Sequence, residues 1–350
     1  MKQVCLPFWP IFPSFKQVRG THVRNTAEIG LVAVTDIEKK GKQNRRVRIA
    51  LACIDELPRP RGNADMAHED VFVSTEWLAE RLDAPDVVVV DGSWYLPAHG
   101  RDPHAEYAER RIPGALRFDI DAVKDAGSDL PHMLPRPEAF AAAVGAKGIG
   151  DGMRIVIYDG LGLFSAPRVR WTFKTFGAKD VVILEGGFPK WQAENRPIEH
   201  GPPRSRAARS FTARLDHSAV ADADDVARAL SEGTAQVVDA RPGDRFRGEA
   251  PEPRPGVRSG HIPGALNLPA PAVMRDGQLK SPEEIAAAFT EAGVDLDRPL
   301  ITSCGSGVTA AILSAALESI GKRARALYDG SWAEWGASTR SLEIGPAKPK

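Results

Sequence analysis

The sequence predicts an α/β protein with two similar halves, each a parallel sheet flanked by helices on both faces. Three observations lead to this prediction. Short apolar runs alternate with helical patterns, several motifs recur about 150 residues apart, and a stretch rich in Pro and Arg separates the two copies. A chain of 350 residues is long enough for two such domains.

Six apolar, β-branched runs predict strands, and six helical patterns separate them. The strands are Val87–Val90, Ile155–Tyr158, Val181–Leu184, Gln236–Val238, Leu300–Thr302 and Ala324–Tyr328. The helices are Thr75–Leu82, Glu138–Val144, Arg168–Phe176, Ala223–Leu230, Glu283–Ala292 and Thr309–Ile320. Ser281, Pro282 and Glu284 form a capping-box pattern at the start of one helix, and Gly293 is expected to end it.

The internal repeat is the size of a domain. Arg111–Ala115 aligns with His261–Ala265, and Asp91 aligns with Asp239, each after consecutive valines. This spacing indicates a tandem duplication rather than a solenoid. We therefore predict an N-terminal domain at residues 70–193, a linker at 194–215, a C-terminal domain at 216–340 and a tail at 341–350.

Composition and charge exclude several classes of protein. Lys and Arg number 46, and so do Asp and Glu, which argues against a nucleic-acid partner. No apolar run reaches the length of a membrane span, so no membrane partner is expected. Cys5, Cys53 and Cys304 provide neither a disulfide framework nor a zinc-binding pair. We therefore expect no metal, and the reducing cytoplasm is the predicted location.

Residues 1–65 differ from the rest of the chain because they hold twelve Lys or Arg and only six Asp or Glu. They lack clear amphipathic periodicity and the apolar core of a signal peptide. The basic charges are scattered and few aromatic residues lie among them, which disfavours a nucleic-acid arm. We expect a basic, disordered leader or a mis-assigned start, with a well-patterned domain beginning at Met66.

Cys304 is the sharpest chemical signal. A predicted strand ends there, Gly305 and Gly307 follow, and a predicted helix then begins. Glycines permit a tight turn whose backbone N–H groups converge, and a helix N-terminus favours negative charge. Such a position stabilises a cysteine thiolate. Taken alone, the pattern is equally compatible with a buried structural cysteine.

The repeat favours the functional interpretation. At the aligned place in the first copy, the strand ends in Asp159 and no cysteine follows. A filler cysteine would be expected to have an apolar counterpart, so the pattern predicts one active and one inert half. The loop 241–254 follows another strand of the active half and carries several arginines, which bind carboxylates in bidentate fashion. Internal Arg–Glu pairs are the competing interpretation for these arginines.

The sequence resembles the tandem-rhodanese sulfurtransferases, and within them the branch that uses 3-mercaptopyruvate. The resemblance extends from about Val71 to about Gly336. The segments that carry it are Asp91–Pro97, Pro131–Pro135, Ser165–Arg168, Gly260–Ala265, Cys304–Ala310 and Tyr328–Trp332.

The resemblance implies two rhodanese-like domains and a persulfide formed on Cys304, which takes sulfur from 3-mercaptopyruvate and releases pyruvate. A thiol, thioredoxin or cyanide then accepts the sulfur, and neither a metal nor an organic cofactor takes part. Arg245 and Arg254 would hold the carboxylate and keto group of the donor. The loop that would cradle the persulfide consists of Gly305, Ser306, Gly307, Val308 and Thr309.

Two further expectations follow from the resemblance. Ser306 would act in a hydrogen-bonded relay that some family members complete with a histidine of the first domain's His-Ile-Pro-Gly motif. This chain has Arg111 at that place, which would bring positive charge to the cleft but no base. Neutral residues in the cradle loop fit a monoanionic keto acid better than dianionic thiosulfate.

Three alternatives remain open at this stage. In the first, thiosulfate is the main donor and the enzyme is a thiosulfate sulfurtransferase. In the second, the chain is a non-catalytic sulfur carrier or interaction module. A cysteine phosphatase is disfavoured because Thr309 and Ala310 stand where such an enzyme needs an arginine.

Overall fold

The computed structural model describes residues 32–40, 44–51 and 67–348, the first two ranges by their backbone. The chain divides into two compact units, Met1–Arg61 and Gly62–Lys350. In the first unit, strand β1 (Val32–Lys40) pairs antiparallel with β2 (Asn44–Leu51). The rest of the predicted leader, including Cys5 and Cys53, lies outside the described residues, and the expectation for residues 1–65 stays a prediction.

The second unit contains two five-stranded parallel sheets. The strands of the first sheet are β3 (Phe72–Val73), β4 (Val87–Asp91), β5 (Leu116–Arg117), β6 (Arg154–Tyr158) and β7 (Val181–Leu184). The strands of the second are β8 (Val220–Ala221), β9 (Gln236–Asp239), β10 (Leu266–Asn267), β13 (Leu300–Ser303) and β14 (Ala326–Tyr328). A short antiparallel hairpin, β11 (Met274–Arg275) and β12 (Gln278–Leu279), lies between β10 and β13 in the chain.

The two sheets have the same topology. The first runs β3-β7-β6-β4-β5 and the second β8-β14-β13-β9-β10, so each strand has a counterpart at the same place in the other sheet. Every neighbouring pair in both sheets is parallel. The predicted tandem α/β duplication is confirmed.

Helices follow most of the strands. The helices are Thr75–Ala79, Pro103–Glu109, Pro137–Ala146, Ala166–Thr175, Gly187–Ala193, Ala223–Glu232, Gly243–Phe246, Pro282–Glu291, Ala310–Ser319 and Ser331–Trp335. Short 3-10 turns occupy Pro97–His99, His217–Ala219 and Ala270–Val273. The predicted capping box is present, because the Ser281 side chain accepts from the N–H of Glu284 while the Glu284 carboxylate accepts from the N–H of Ser281. Gly293 follows this helix with φ +80°, a conformation that favours glycine.

The two halves share apolar packing. Phe173 and Phe176 of the first half belong to the same buried cluster as Leu313 and Leu317 of the second. Helices Ala166–Thr175 and Ala310–Ser319 contact each other within it. Both helices follow the central strand of their own sheet, so this packing brings the carboxyl ends of the two sheets together. Among the described residues, no helix combines the length and the apolar character that crossing a membrane requires.

Candidate active site

Cys304 is the first residue after β13, at the carboxyl end of the second sheet. The loop 305–309 then leads into helix Ala310–Ser319. In open α/β sheets this edge is where ligands bind, because loops and helix N-termini converge there. The predicted order of strand, cysteine, glycine-rich turn and helix is confirmed.

The cradle loop offers free hydrogen-bond donors. Within the described residues, none of the backbone N–H groups of Gly305, Ser306, Gly307, Val308 and Thr309 donates to a protein acceptor. The helix that follows also lacks a side-chain cap at Thr309. A buried helix start normally satisfies such donors with a capping side chain. Unused donors together with the positive end of the helix dipole define a place for an anion.

The backbone of Cys304 is fixed from the segment after β14. Its N–H donates to Ser331 Oγ at 3.3 Å, and its carbonyl accepts from the N–H of Trp332 at 2.9 Å. The carbonyl of Gly305 accepts from the N–H of Ala333, also at 2.9 Å. Cys304 itself is buried, with only 2% of its surface exposed.

The inert half fills the equivalent cradle with its own carboxylate. Asp159 follows β6 as Cys304 follows β13. One carboxylate oxygen accepts from the N–H of Phe164 at 2.7 Å and from those of Ser165 and Ala166 at 2.9 Å each. The other accepts from the N–H of Leu161 at 2.8 Å. This turn therefore binds a negative charge in one half, which supports the same role for the loop 305–309 in the other.

Arg245 lies beside the cradle but is already paired. Its Nη2 atom is 3.4 Å from the place where a Cβ atom on Gly305 would stand, and it donates to Glu252. The buried Glu252 carboxylate also accepts from Arg241 Nη1 at 2.8 Å. Arg241 is bound in turn to Asp239 at 2.7 Å. The competing prediction of an internal Arg–Glu pair therefore holds for Arg245, which reaches the site with part of its charge neutralised.

Arg254, unlike Arg245, has no direct protein partner among the described residues. Among the described residues no hydrogen bond or ion pair to its guanidinium group is formed, and its side chain is half-buried. Burial lowers the pKa of Arg254, the negative charge of Cys304 raises it, and the positive charge of Arg245 lowers it further. The charges of Cys304 and Arg245 therefore both act on Arg254, whose guanidinium group has no direct protein partner among the described residues.

The structure adds a histidine that the sequence reasoning left without a role. His132 is buried, and its Nδ1 atom lies 3.1 Å from Asp121 Oδ1. Burial lowers the pKa of His132, the bond to Asp121 opposes this shift, and the charges of Arg168 and Arg254 add to it. Trp94 packs edge-on against the ring at 4.9 Å and donates to the other oxygen of Asp121 at 2.8 Å. The segment Pro131–Pro135, which contains His132, is one of those that carry the family resemblance. No function was predicted from the sequence for this histidine.

Arg111 does not bring charge to the cleft, and that prediction is wrong. Its side chain is 0% exposed and pairs with Glu199 at 2.6 Å, while Nη1 donates to the carbonyls of Tyr107 and Gly201. His261, at the matching position of the second half, binds the Phe246 carbonyl through Nδ1 at 2.9 Å. Ser306 is buried in the cradle loop, at 6% exposure.

The fold and site define a class of protein: paired parallel-sheet domains, one of which presents a cysteine in a cradle of backbone donors. The family described as Rhodanese-like domain matches residues 74–194 and 222–338. The chain therefore belongs to the rhodanese family and carries two of its domains in tandem. A second family, the threonyl and alanyl tRNA synthetase second additional domain, matches only residues 19–48 and supports no assignment for the chain.

Similar proteins narrow the class further. The chain is 45% identical to the 3-mercaptopyruvate sulfurtransferase of Escherichia coli strain K12 over 278 residues, covering 79% of this chain and 98% of that protein. It is 42% identical to the thiosulfate sulfurtransferase of Cricetulus griseus over 281 residues, covering 77% of this chain and 94% of that protein. The crystal structure of SseA, a 3-mercaptopyruvate sulfurtransferase from Escherichia coli, superimposes with a TM-score of 0.69 at 43% identity, covering 75% of this chain and 98% of that one.

Proposed function

We propose that this protein is a 3-mercaptopyruvate sulfurtransferase that carries sulfur as a persulfide on Cys304. The observation that carries the proposal is the pairing of Cys304 with five unused backbone N–H groups at Gly305–Thr309. The similarity to 3-mercaptopyruvate sulfurtransferases over most of the chain supports the same reaction. Residues 70–193 form the inert half of this arrangement, 216–340 the catalytic half and 194–215 the linker.

The donor binds through its carboxylate. Arg254 has no protein counter-ion among the described residues and therefore takes the carboxylate, while Arg245, held by Glu252, faces the keto oxygen. A single negative charge on the donor matches one free guanidinium group. Thiosulfate carries two charges, and the cradle loop itself offers no cationic side chain to meet the second.

In the first half-reaction the Cys304 thiolate attacks the sulfur of 3-mercaptopyruvate. A sulfur–sulfur bond forms, the carbon–sulfur bond breaks, and its electron pair leaves on carbon as the enolate of pyruvate. The thiol proton of the donor passes to that carbon, which gives pyruvate and a persulfide anion. The N–H groups of Gly305–Thr309 stabilise the anion in the same way as backbone donors stabilise other developing charges.

His132 is the group suited to move that proton. It is buried, neutral above its lowered pKa and held by Asp121, and the charge of Arg254 acts on it. Ser306, in the cradle loop, provides the hydroxyl of the proposed relay. The relay therefore draws its histidine from the segment Pro131–Pro135 and not from the position of Arg111.

In the second half-reaction an acceptor thiolate attacks the outer sulfur and restores the Cys304 thiolate. Thioredoxin, a small thiol and cyanide are the proposed acceptors, and the cytoplasm is the proposed location. Since the enzyme alternates between free thiolate and persulfide, double-displacement kinetics are expected.

The test uses the wild-type chain and Cys304→Ser with two donors. Wild-type protein treated with 3-mercaptopyruvate should release pyruvate and gain the mass of one sulfur atom on the peptide that contains Cys304. The variant should do neither while its circular dichroism spectrum and melting temperature stay close to those of the wild type.

The donor ratio decides between the alternatives. A higher kcat/KM for 3-mercaptopyruvate than for thiosulfate supports the proposal, and the reverse order identifies a thiosulfate sulfurtransferase. Absence of any sulfur adduct with either donor leaves a non-catalytic module, and turnover by Cys304→Ser would exclude the persulfide mechanism.

A further inference from the structure

An ion pair buried between the two halves lies directly beneath the cradle loop. Arg168, in the first turn of helix Ala166–Thr175, is 1% exposed, and Asp329, just after β14, is 3% exposed. Arg168 Nη2 donates to Asp329 Oδ1 at 2.6 Å and to the carbonyl of His132 at 2.5 Å. The second Asp329 oxygen accepts from the N–H of Leu134 at 2.8 Å. One residue from each half thus closes the contact between them.

Gly307 rests on this ion pair. Its φ is +76°, and a Cβ atom there would overlap Arg168 Nη1, with the Asp329 carbonyl oxygen 3.3 Å from the same point. Arg168 Nη1 is itself buried and has no hydrogen-bond partner within the described residues. The middle of the cradle loop therefore packs on a guanidinium group supplied by the inert half.

The same ion pair is connected to the backbone of the nucleophile. Asp329 lies two residues before Ser331, whose hydroxyl accepts from the N–H of Cys304 and donates to the Tyr328 carbonyl at 2.7 Å. Ser331 has φ +50°, an unusual value for a residue with a side chain, so the surrounding contacts hold it in place. Asp329 fixes the start of this segment from the interface side.

We infer that Arg168 is a positioning residue for sulfur transfer. Through its contacts with Gly307 and Asp329, it keeps the loop 305–309 at a fixed position relative to Cys304. Rigid support of this kind matters because small displacements of reacting groups cost large factors in rate. The inference rests on the proposed function, and it gives the inert half a physical part in the reaction.

A matched control lies two residues along the same helix. Arg170 is 3% exposed and crosses the same interface to Glu318 at 2.9 Å. Glu318 is near the far end of helix Ala310–Ser319, about 12 Å along its axis from the cradle at 1.5 Å per residue. Replacing Arg170 therefore disturbs the interface without touching the loop.

The experiment compares Arg168→Met, Arg170→Met and the double variant Arg168→Met with Asp329→Asn. Arg168→Met should lower kcat for persulfide formation by about 100-fold, with a much smaller change in KM. Arg170→Met should lose stability without a comparable loss of kcat. The double variant should regain melting temperature, because no charge is left buried alone, but its kcat should stay low because the loop still lacks its support.

Two results would overturn the inference. One is an equal loss of kcat in Arg168→Met and Arg170→Met at the same folded fraction. The other is recovery of both stability and kcat in the double variant, which would make the pair structural only. Should Arg168→Met not fold, Arg168→Lys and the double variant provide the same comparison.

A second readout separates this inference from the proposed function. The rate at which iodoacetamide alkylates Cys304, followed by peptide mass spectrometry, requires no sulfur donor. It should change by about tenfold or more in Arg168→Met and stay unchanged in Arg170→Met, because a displaced loop alters both the surroundings and the exposure of the Cys304 sulfur. Unchanged alkylation in both variants would count against Arg168, whereas failure of the proposed donor would appear in the wild-type protein.

Discussion

Asp159 and Cys304 occupy the same position in the two halves, each the first residue after the central strand of its sheet. The Asp159 carboxylate accepts four backbone N–H bonds from the turn that follows it. The N–H groups of Gly305–Thr309 after Cys304 donate to no described protein atom. The duplication has thus produced one turn that binds its own anion and one that is open to an anion formed in the reaction.

The inert half nevertheless contributes to the site. It supplies His132 with its partner Asp121, and it supplies Arg168 beneath Gly307. The second half contains Cys304 and Arg254, the proposed nucleophile and the proposed substrate cation. The second half alone would therefore lack both the buried histidine and the side chain that packs under Gly307.

Arg254 and Arg245, the proposed donor-binding residues, are expected to contribute unequally to kcat/KM for 3-mercaptopyruvate. Arg254→Gln should lower kcat/KM for 3-mercaptopyruvate by about 10- to 100-fold, because a charge-assisted hydrogen bond contributes about 1.5–3 kcal/mol. Arg245→Gln should have a smaller effect, since its guanidinium group is already shared with Glu252. Steady-state kinetics with both variants provide the measurement.

Thiosulfate serves as the control donor for this comparison. If Arg254 binds the carboxylate of the keto acid, its replacement should raise KM for 3-mercaptopyruvate more than KM for thiosulfate. Equal changes for the two donors, or a larger loss in Arg245→Gln, would contradict the assignment.

Glu252 is predicted to be a large contributor to stability in the loop after β9. Its carboxylate is 4% exposed and holds both Arg241 and Arg245, so Glu252→Gln leaves buried positive charge poorly compensated. The expected loss is about 3 kcal/mol of unfolding free energy, measured by urea denaturation. Glu249→Gln is the matched control, because its pair with Arg247 is exposed and should contribute nothing measurable. Equal effects of the two changes would show that the buried network adds no stability.

The fold and the local surroundings of Cys304 could be predicted because their signals are local. A run such as Val87–Val90 reports a strand that is buried on both faces, and the structure extends it only to Asp91. The capping box at Ser281 depends on residues three positions apart. Cys304 stands between a strand and a glycine-rich turn, so its surroundings could be inferred from its neighbours in the chain.

The rest of the site could not be predicted because it depends on contacts between distant segments. His132 pairs with Asp121, eleven residues earlier, and its carbonyl accepts from Arg168, 36 residues later, and neither contact is visible in the local sequence. Arg111 was expected at the cleft because it aligns with a histidine motif. Its guanidinium group instead donates to Glu199, 88 residues along the chain. The pairing of Arg245 with Glu252 was one of several pairings that the sequence of the loop allowed.

The buried histidines should make stability depend on pH below neutrality. Burial lowers the pKa of His132 and of His261 from the ordinary value of 6.5. The unfolded chain therefore takes up these protons first as the pH falls below 6.5, so the folded state loses stability from there down to the folded pKa values. Each histidine contributes a slope of at most about 1.4 kcal/mol per pH unit.

The measurement is the free energy of unfolding between pH 7.5 and pH 5, in steps of about half a unit, for the wild type and His132→Gln. The variant should show a shallower decline, because one buried group no longer has to stay neutral. An identical decline in both proteins would mean that His132 takes up its proton as readily when folded as when unfolded.

Gly307 and Gly256 should respond differently to the same change. Both have nearly the same backbone conformation, φ +76° and +77°, so alanine at either position strains the backbone by about 1–2 kcal/mol. Gly256 has open space around its missing side chain, whereas a Cβ atom on Gly307 would overlap the guanidinium group of Arg168. Gly307→Ala must therefore displace the cradle loop and should lower kcat by about 100-fold, while Gly256→Ala keeps it near the wild-type value. Similar kcat values in the two variants would contradict this prediction. Backbone strain alone would then explain both values, and the loop would tolerate movement away from Arg168.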